Sequence, residues 1–255
     1  MLPRALKLLC GGAASENEGT GLALWFKPFI MNKNNIQWRT HFIELLVVII
    51  GISIAFALEG WSEKSKNKQL ETNYLQSLKT DLLQDRDDMQ MVVDSSDVVT
   101  GYIGETFQYL FSNREVEVFK RHHITSTYTA PYFYPKNGTY LSLVNSGNLN
   151  LIRNFEIKSS LADLYDVQYA EVARLDGVIK NLVDNMIYPY IIDNVRFSAM
   201  RDGVDDVSAL KANKAINLMG SYMNFLNTRR SGYQAVSEKR EALIQKIDNE
   251  LKTLQ

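Results

Sequence analysis

Two adjacent histidines, His122 and His123, and an acidic run of Asp81, Asp85, Asp87 and Asp88 are the residues whose types and spacing come nearest to chemistry. A helical metal pair needs its histidines three or four residues apart, so that both project from one face. Adjacent histidines do not meet that requirement, and with Lys120 and Arg121 beside them the segment reads as a solvated basic patch. The four aspartates fall within a helical pattern and lack the glycine-containing loop of a calcium site, so they read as a solvated helix face. No P-loop, G-x-G-x-x-G, H-E-x-x-H or G-x-S-x-G occurs. With no nucleophile, base or metal set gathered by a motif, the expectation is a protein that is not an enzyme and that has no cofactor and no metal.

Composition narrows the remaining classes. A chain of 255 residues that is 45% hydrophobic is long enough to bury one ordinary core or two small ones. Its 28 basic residues balance 29 acidic ones, and no basic stripe interleaved with aromatics occurs, so no nucleic-acid partner is expected. The single cysteine, Cys10, excludes an intramolecular disulfide and a cysteine-rich metal site.

The strongest element is FIELLVVIIGISIAFAL, Phe42 to Leu58, which carries no charge after Glu44. Its length, about 26 Å as a helix, falls slightly short of a hydrocarbon layer of about 30 Å. Trp38 and Trp61 bracket it where interfacial aromatic rings belong and extend it toward full width, so residues 37–61 are predicted to be a transmembrane helix. Glu44 lies near one end, where its carboxylate reaches the headgroups by snorkelling; the functional alternative is a polar partner on another membrane helix. Gly51 and Ser53 permit close helix approach, so self-association through the span is a further expectation. Basic residues flank both sides and leave orientation open. Residues 1–36 are expected to be a disordered tail. Leu9 before Cys10 argues against a lipoprotein signal, and Met31 is read as the natural translation start, with residues 1–30 disordered or artefactual.

After Trp61 no turn residue interrupts the chain, so the span is predicted to continue as a long amphipathic helix. Leu75, Leu78, Leu82, Met89, Val92, Val99, Ile103 and Leu110 keep a three-four spacing, with Asp85, Ser96 and Thr106 at the remaining seam positions. Those polar positions favour packing in a bundle over an independent coiled coil. Between Ser112 and Tyr140 the pattern breaks, and an irregular aromatic-rich loop is expected near 125–138, in which Tyr128, Tyr132, Phe133 and Tyr134 anchor on the core. The stretch from Thr139 reads as a short helix ended by Gly147 in a left-handed cap, with a second helix opened by Asn154. Leu161, Tyr165, Val172, Leu175, Ile179, Leu182 and Met186 mark a further helix, which Pro189 is expected to kink or end. A last helix, capped by Asp205 or Asp206, carries Met219, Tyr222, Leu226, Tyr233, Val236, Leu243, Ile247 and Leu254 on its apolar face. Strand alternation is nowhere sustained, so the fold class is all-α.

The run FIELLVVIIGISIA resembles the N-terminal helix of type IV prepilins and pseudopilins. The chain departs from that pattern in having Arg39 where the family has a glycine, and in lacking the periodicity of a sheet. A second resemblance covers most of the chain: EL-x-VV-x-IGISIA through Trp61-Ser-Glu-Lys, then Tyr74-Leu75, Leu78, Asp81-Leu82, and Tyr140-Leu-Ser-Leu-Val-Asn-Ser-Gly-Asn-Leu through Ile152 and Asn154. In these residues the chain resembles a bacterial family of single-span helical proteins known only as a domain of unknown function. That resemblance implies an envelope protein with a short tail, one span and a helical domain in the periplasm.

The sequence thus predicts a tail over 1–36, a transmembrane helix over 37–61 and a helical bundle over 62–255. The expected function is a membrane-anchored interaction or scaffold protein of the bacterial inner membrane. Its partners would be the lipid bilayer and other envelope proteins or a second copy. A pseudopilin-like secretion component and an enzyme with an unrecognised site are the alternatives. Candidate interaction or structural residues are Glu44, Tyr140, Ser146, Gly147 and Asn148, with Trp38 and Trp61 as interface anchors.

Overall fold

The computed structural model describes residues 38–112, 119–129 and 131–254. The expected N-terminal tail, with Cys10 and Met31, lies outside them. The chain divides into two compact units, Met1–Ala55 and Phe56–Gln255. Helix α1, Trp38–Phe111, carries residues of both, as the uninterrupted pattern after Trp61 predicts.

Described residues of the first unit are all helical and all exposed. An 18-residue window of α1 has a mean hydropathy of 2.4 with none of it buried, so this one helix is long and apolar enough to cross a membrane.

The second unit is built on the seam of α1. All eleven seam positions from Leu75 to Leu110 are buried, polar ones included, and Glu71 joins them. The short helices α2 (Arg121–Thr125) and α3 (Gly138–Asn145) follow. Next comes one uninterrupted helical stretch made of α4 (Phe155–Ala162), α5 (Tyr169–Leu182) and α6 (Tyr188–Asn194). Wider π-helical turns, Asp163–Gln168 and Val183–Ile187, join its parts. Helix α7, Asn213–Thr253, closes the unit. The described residues contain no strand, only an isolated antiparallel bridge between Phe197 and Val204, and so nothing of the pilin sheet.

The core falls into two apolar clusters. One gathers Leu75–Val92 of α1 with Ile157–Val172 and Tyr233–Leu254; the other gathers Val99–Leu110 with Ile179–Ile191 and Ala215–Leu226. Both α1 and the 155–194 stretch therefore run from the first cluster to the second, and α7 runs back. The chain before α3 must also return, from Phe119 and Ile124 in the second cluster to Phe133 and Tyr140 in the first, and its described residues from Pro131 to Asn137 do so without regular structure.

Local details follow the sequence in some places and correct it in others. Gly147 adopts φ +71° at the end of α3, and Asn154 caps α4 by accepting the N–H groups of Glu156 and Ile157. The helix does not end at Pro189. Tyr188 N–H reaches back five residues to Val183 O, and the extra residue of this turn lets the chain pass the proline, which lacks a donor. The same turn rotates the phase, so that Ile187 is buried where three-four spacing points to Met186, which is half exposed. Neither Asp205 nor Asp206 caps α7. Asp206 instead accepts from Ser208 N–H, 2.9 Å, at a preceding short 3-10 turn, and Asp205 pairs with Arg196.

A Cβ added at Gly147 would meet nothing within 4 Å, so backbone conformation alone requires glycine there. Gly147→Ala is expected to destabilise the second unit by about 1–2 kcal/mol. Gly177→Ala, within α5 and equally uncrowded, should stabilise it by about 1 kcal/mol. Thermal melts of the detergent-solubilised chain check both, and equal effects at the two positions would refute the left-handed assignment.

Candidate functional site

Charged residues occupy seam positions where apolar side chains are the rule, and the fold brings them together. Asp85 and Ser96 on α1, Asp176 on α5, and Arg229 and Arg240 on α7 are all buried. Eleven residues, three helical turns, separate Asp85 from Ser96 and likewise Arg229 from Arg240. Because α7 runs against α1, Arg229 falls level with Ser96, and Arg240 with Asp85.

Arg229 donates through Nη1 to Asp176 Oδ1 at 3.1 Å and to Pro131 O at 2.9 Å, and through Nη2 to Ser96 Oγ at 2.6 Å. The other Asp176 oxygen accepts from the Tyr233 hydroxyl at 2.7 Å and from Phe133 N–H at 3.2 Å. Asp85 accepts from Lys136 N–H at 2.7 Å and from the Tyr169 hydroxyl at 2.9 Å. Arg240 donates to Ser237 Oγ at 2.8 Å and faces Asp85 O and Met89 Sδ, each at 3.5 Å.

These groups serve the returning segment. A chain crossing a bundle without a helix or a ladder must find partners for its buried backbone polar groups elsewhere. Tyr222 donates to Thr129 O and Tyr165 to Lys136 O, completing a set of helix side chains that hold the backbone at residues 129, 131, 133 and 136. Phe133 is buried against Tyr169 and Tyr233; Tyr128 and Tyr132 pack on the second cluster. The expected anchoring therefore holds for three of the four aromatics, while Tyr134 points to solvent.

Burial pushes the Asp85 carboxyl above the usual carboxylate range, against the Lys136 N–H, the Tyr169 hydroxyl and Arg240, which favour its ionised form. Burial also raises the Tyr169 and Tyr233 hydroxyls, and the carboxylates of Asp85 and Asp176 raise them further, so both phenols remain donors at neutral pH. The Tyr140 hydroxyl is pushed up to about 12, by burial first and then by Asp166, to which it donates at 2.8 Å.

The sequence-predicted residues do not converge on one site. Tyr140 is buried and stacks on Tyr165 with ring centroids 4.5 Å apart. Ser146 turns back onto Ser142 O at 2.6 Å, Gly147 makes the corner, and Asn148 Nδ2 donates to the Tyr74 hydroxyl at 3.2 Å. The group is a helix-helix corner. Glu44 is exposed, with Oε2 3.1 Å from His41 Nδ1 one turn earlier, and Trp38 and Trp61 are exposed as well.

A family of unknown function, DUF6090, has a sequence profile that matches residues 44–186, more than half of the chain. The chain belongs to this family. No curated protein and no solved structure matches it. The DUF6090 match opens at Glu44 and takes in the apolar run, the α1 seam, the corner and both buried aspartates; it ends before α7, which supplies Arg229 and Arg240.

Helical spacing alone does not single out Arg229, Arg240 and Asp176, although a signal exists. Both arginines continue the three-four spacing of the α7 seam between Leu226 and Tyr233 and between Val236 and Leu243. A basic residue at such a position requires a buried acid or carbonyl opposite it.

The reading of His122 and His123 as a solvated basic patch is corrected. His123 is buried, with Nε2 3.1 Å from Glu105 Oε2, because α2 packs across α1 and Tyr109 and Phe119 close over the ring. Burial lowers the basicity of the imidazole, against Glu105, which raises it.

Two predictions test the network. Asp176→Ala leaves Arg229 buried without its carboxylate and is expected to cost roughly 3–5 kcal/mol, read from denaturant unfolding of the solubilised chain. For Asp85, the unfolded chain releases its proton near the ordinary value of about 3.9, whereas the fold holds it to higher pH. Its contribution is therefore full below that value and lost as pH rises through the folded pKa. The stability of the wild type relative to Asp85→Asn should accordingly shrink as pH rises across that interval; a widening gap in melting temperature would contradict the buried-carboxyl assignment.

Proposed function

We propose that the protein is a non-enzymatic interaction or scaffold protein of the bacterial inner membrane, anchored by one span, with its helical unit in the periplasm. One observation carries this reading: from Phe42 to Leu58 an apolar helical run lies wholly exposed, and with its flanking tryptophans it suits a lipid environment. Trp61, Lys64 and Lys68, together with Arg153 and its ion-pair partner Glu71, line a groove of about 650 Å³ in the second unit, and its aromatic ring and two lysines suit anionic headgroups.

The non-enzymatic part of the reading draws support from how the buried charges are used. Asp85, Asp176 and Arg229 are engaged with backbone and hydroxyl groups of the returning segment, which leaves them a structural task. The balanced charge of the chain favours lipid and protein partners, or a second copy, over nucleic acid.

Alkaline carbonate extraction should leave the full chain in the membrane pellet. Protease added to intact spheroplasts should remove a C-terminal tag; a tag protected until lysis would place the helical unit in the cytoplasm and overturn the periplasmic assignment. Crosslinking followed by gentle solubilisation should return the same envelope protein, or a second copy, in repeated preparations. Consistent absence of both, with a monomer by light scattering, would refute the scaffold role.

A further inference from the structure

We propose that Glu105, His122 and His123 form a binding site for a transition-metal dication of the zinc, nickel or cobalt type. The three side chains each offer a ligand atom, and these atoms lie within 4.8 Å of one another. Glu105 comes from α1 and the histidines from α2, so the third ligand that adjacent histidines cannot find on their own helix is supplied by another. The 3.1 Å between Glu105 Oε2 and His123 Nε2 is close to the edge of a tetrahedron whose bonds are about 2.0–2.1 Å. An ordinary histidine–carboxylate hydrogen bond would account for two of the groups. His122 is placed there separately, its ring 4.6 Å from Tyr102 and 4.2 Å from His123.

The frame holds without an ion. Thr106, next to Glu105, donates to the backbone carbonyl of His123 at 3.1 Å, which fixes α2 against α1 at the ligands themselves. His123 Nδ1 lies 3.0 Å from Lys120 N and 3.2 Å from Lys120 O. With Nδ1 accepting from Lys120 N–H, Nε2 carries the proton and donates to Glu105. With the proton on Nδ1, it donates to Lys120 O and frees the Nε2 lone pair for a metal, the orienting arrangement that metal-bound histidines ordinarily have. The nearby cation Arg121 is drawn off by Ser198 O, Asp202 and the Phe197 ring. Two imidazoles and one carboxylate select borderline dications over calcium or magnesium, and three protein ligands leave a position for water.

The test uses the full chain in detergent with Cys10→Ser, stripped with chelator and dialysed against zinc chloride, with bound metal counted by mass spectrometry. About one zinc per chain is expected. His122→Ala and Glu105→Gln should each weaken binding by at least about tenfold, while His41→Ala leaves it unchanged. Glu105 is half exposed, so Glu105→Gln keeps the fold testable, and circular dichroism verifies it for each variant. In the cobalt-loaded chain, the visible absorption of a low-coordinate site should appear and be lost in the same two variants. No stoichiometric zinc, or zinc retained by both folded variants, would overturn the site.

Discussion

Arg229 sits between two apolar clusters with almost none of its surface in contact with water, and the pairing this demands organises the second unit. Asp176, Ser96 and the carbonyl of Pro131 must all come within reach of one guanidinium, and they belong to three different segments. A shift of α7 by one turn would leave a charge buried without a partner, whereas apolar contacts alone would tolerate such a slide. The polar layer therefore sets the register of α1, α5 and α7, and the clusters on either side supply the bulk of the burial.

The same layer explains how the chain reverses direction without a fourth long helix. At residues 129, 131, 133 and 136 the backbone polar groups of the returning segment are met by side chains of α1, α5, α7 and the first π-turn. Buried acids, which would otherwise be a liability in a helical core, act as fixed acceptors for amides that have no other partner. This division of labour gives the charged interior a structural task, and the basic groove near Trp61 and the histidine cluster beside the end of α1 are built from other residues.

Much of the fold is legible in sequence because helical spacing and burial obey one rule. Every seam position assigned on α1 is buried, as is every one assigned on α7, and the left-handed Gly147 and the Asn154 cap follow from residue type. Failures arise where a local pattern depends on distant partners. Spacing points Met186 inward because it does not reveal a π-turn, and it assigns Asp206 to α7 because a short 3-10 turn has no periodicity. The candidate site is less legible. Tyr140, Ser146, Gly147 and Asn148 form a corner, and His123 looks solvated in sequence because Glu105 lies eighteen residues earlier on another helix.

Loops ordinarily open locally and exchange their amide hydrogens long before the helices around them. The segment from Pro131 to Lys136 lacks that freedom, because its amides at Phe133 and Lys136 end on carboxylates held by helices that must separate for those bonds to break. Irregular in outline, it should open only when those helices part, which leaves the exposed Tyr134 a surface feature mounted on a firmly held backbone.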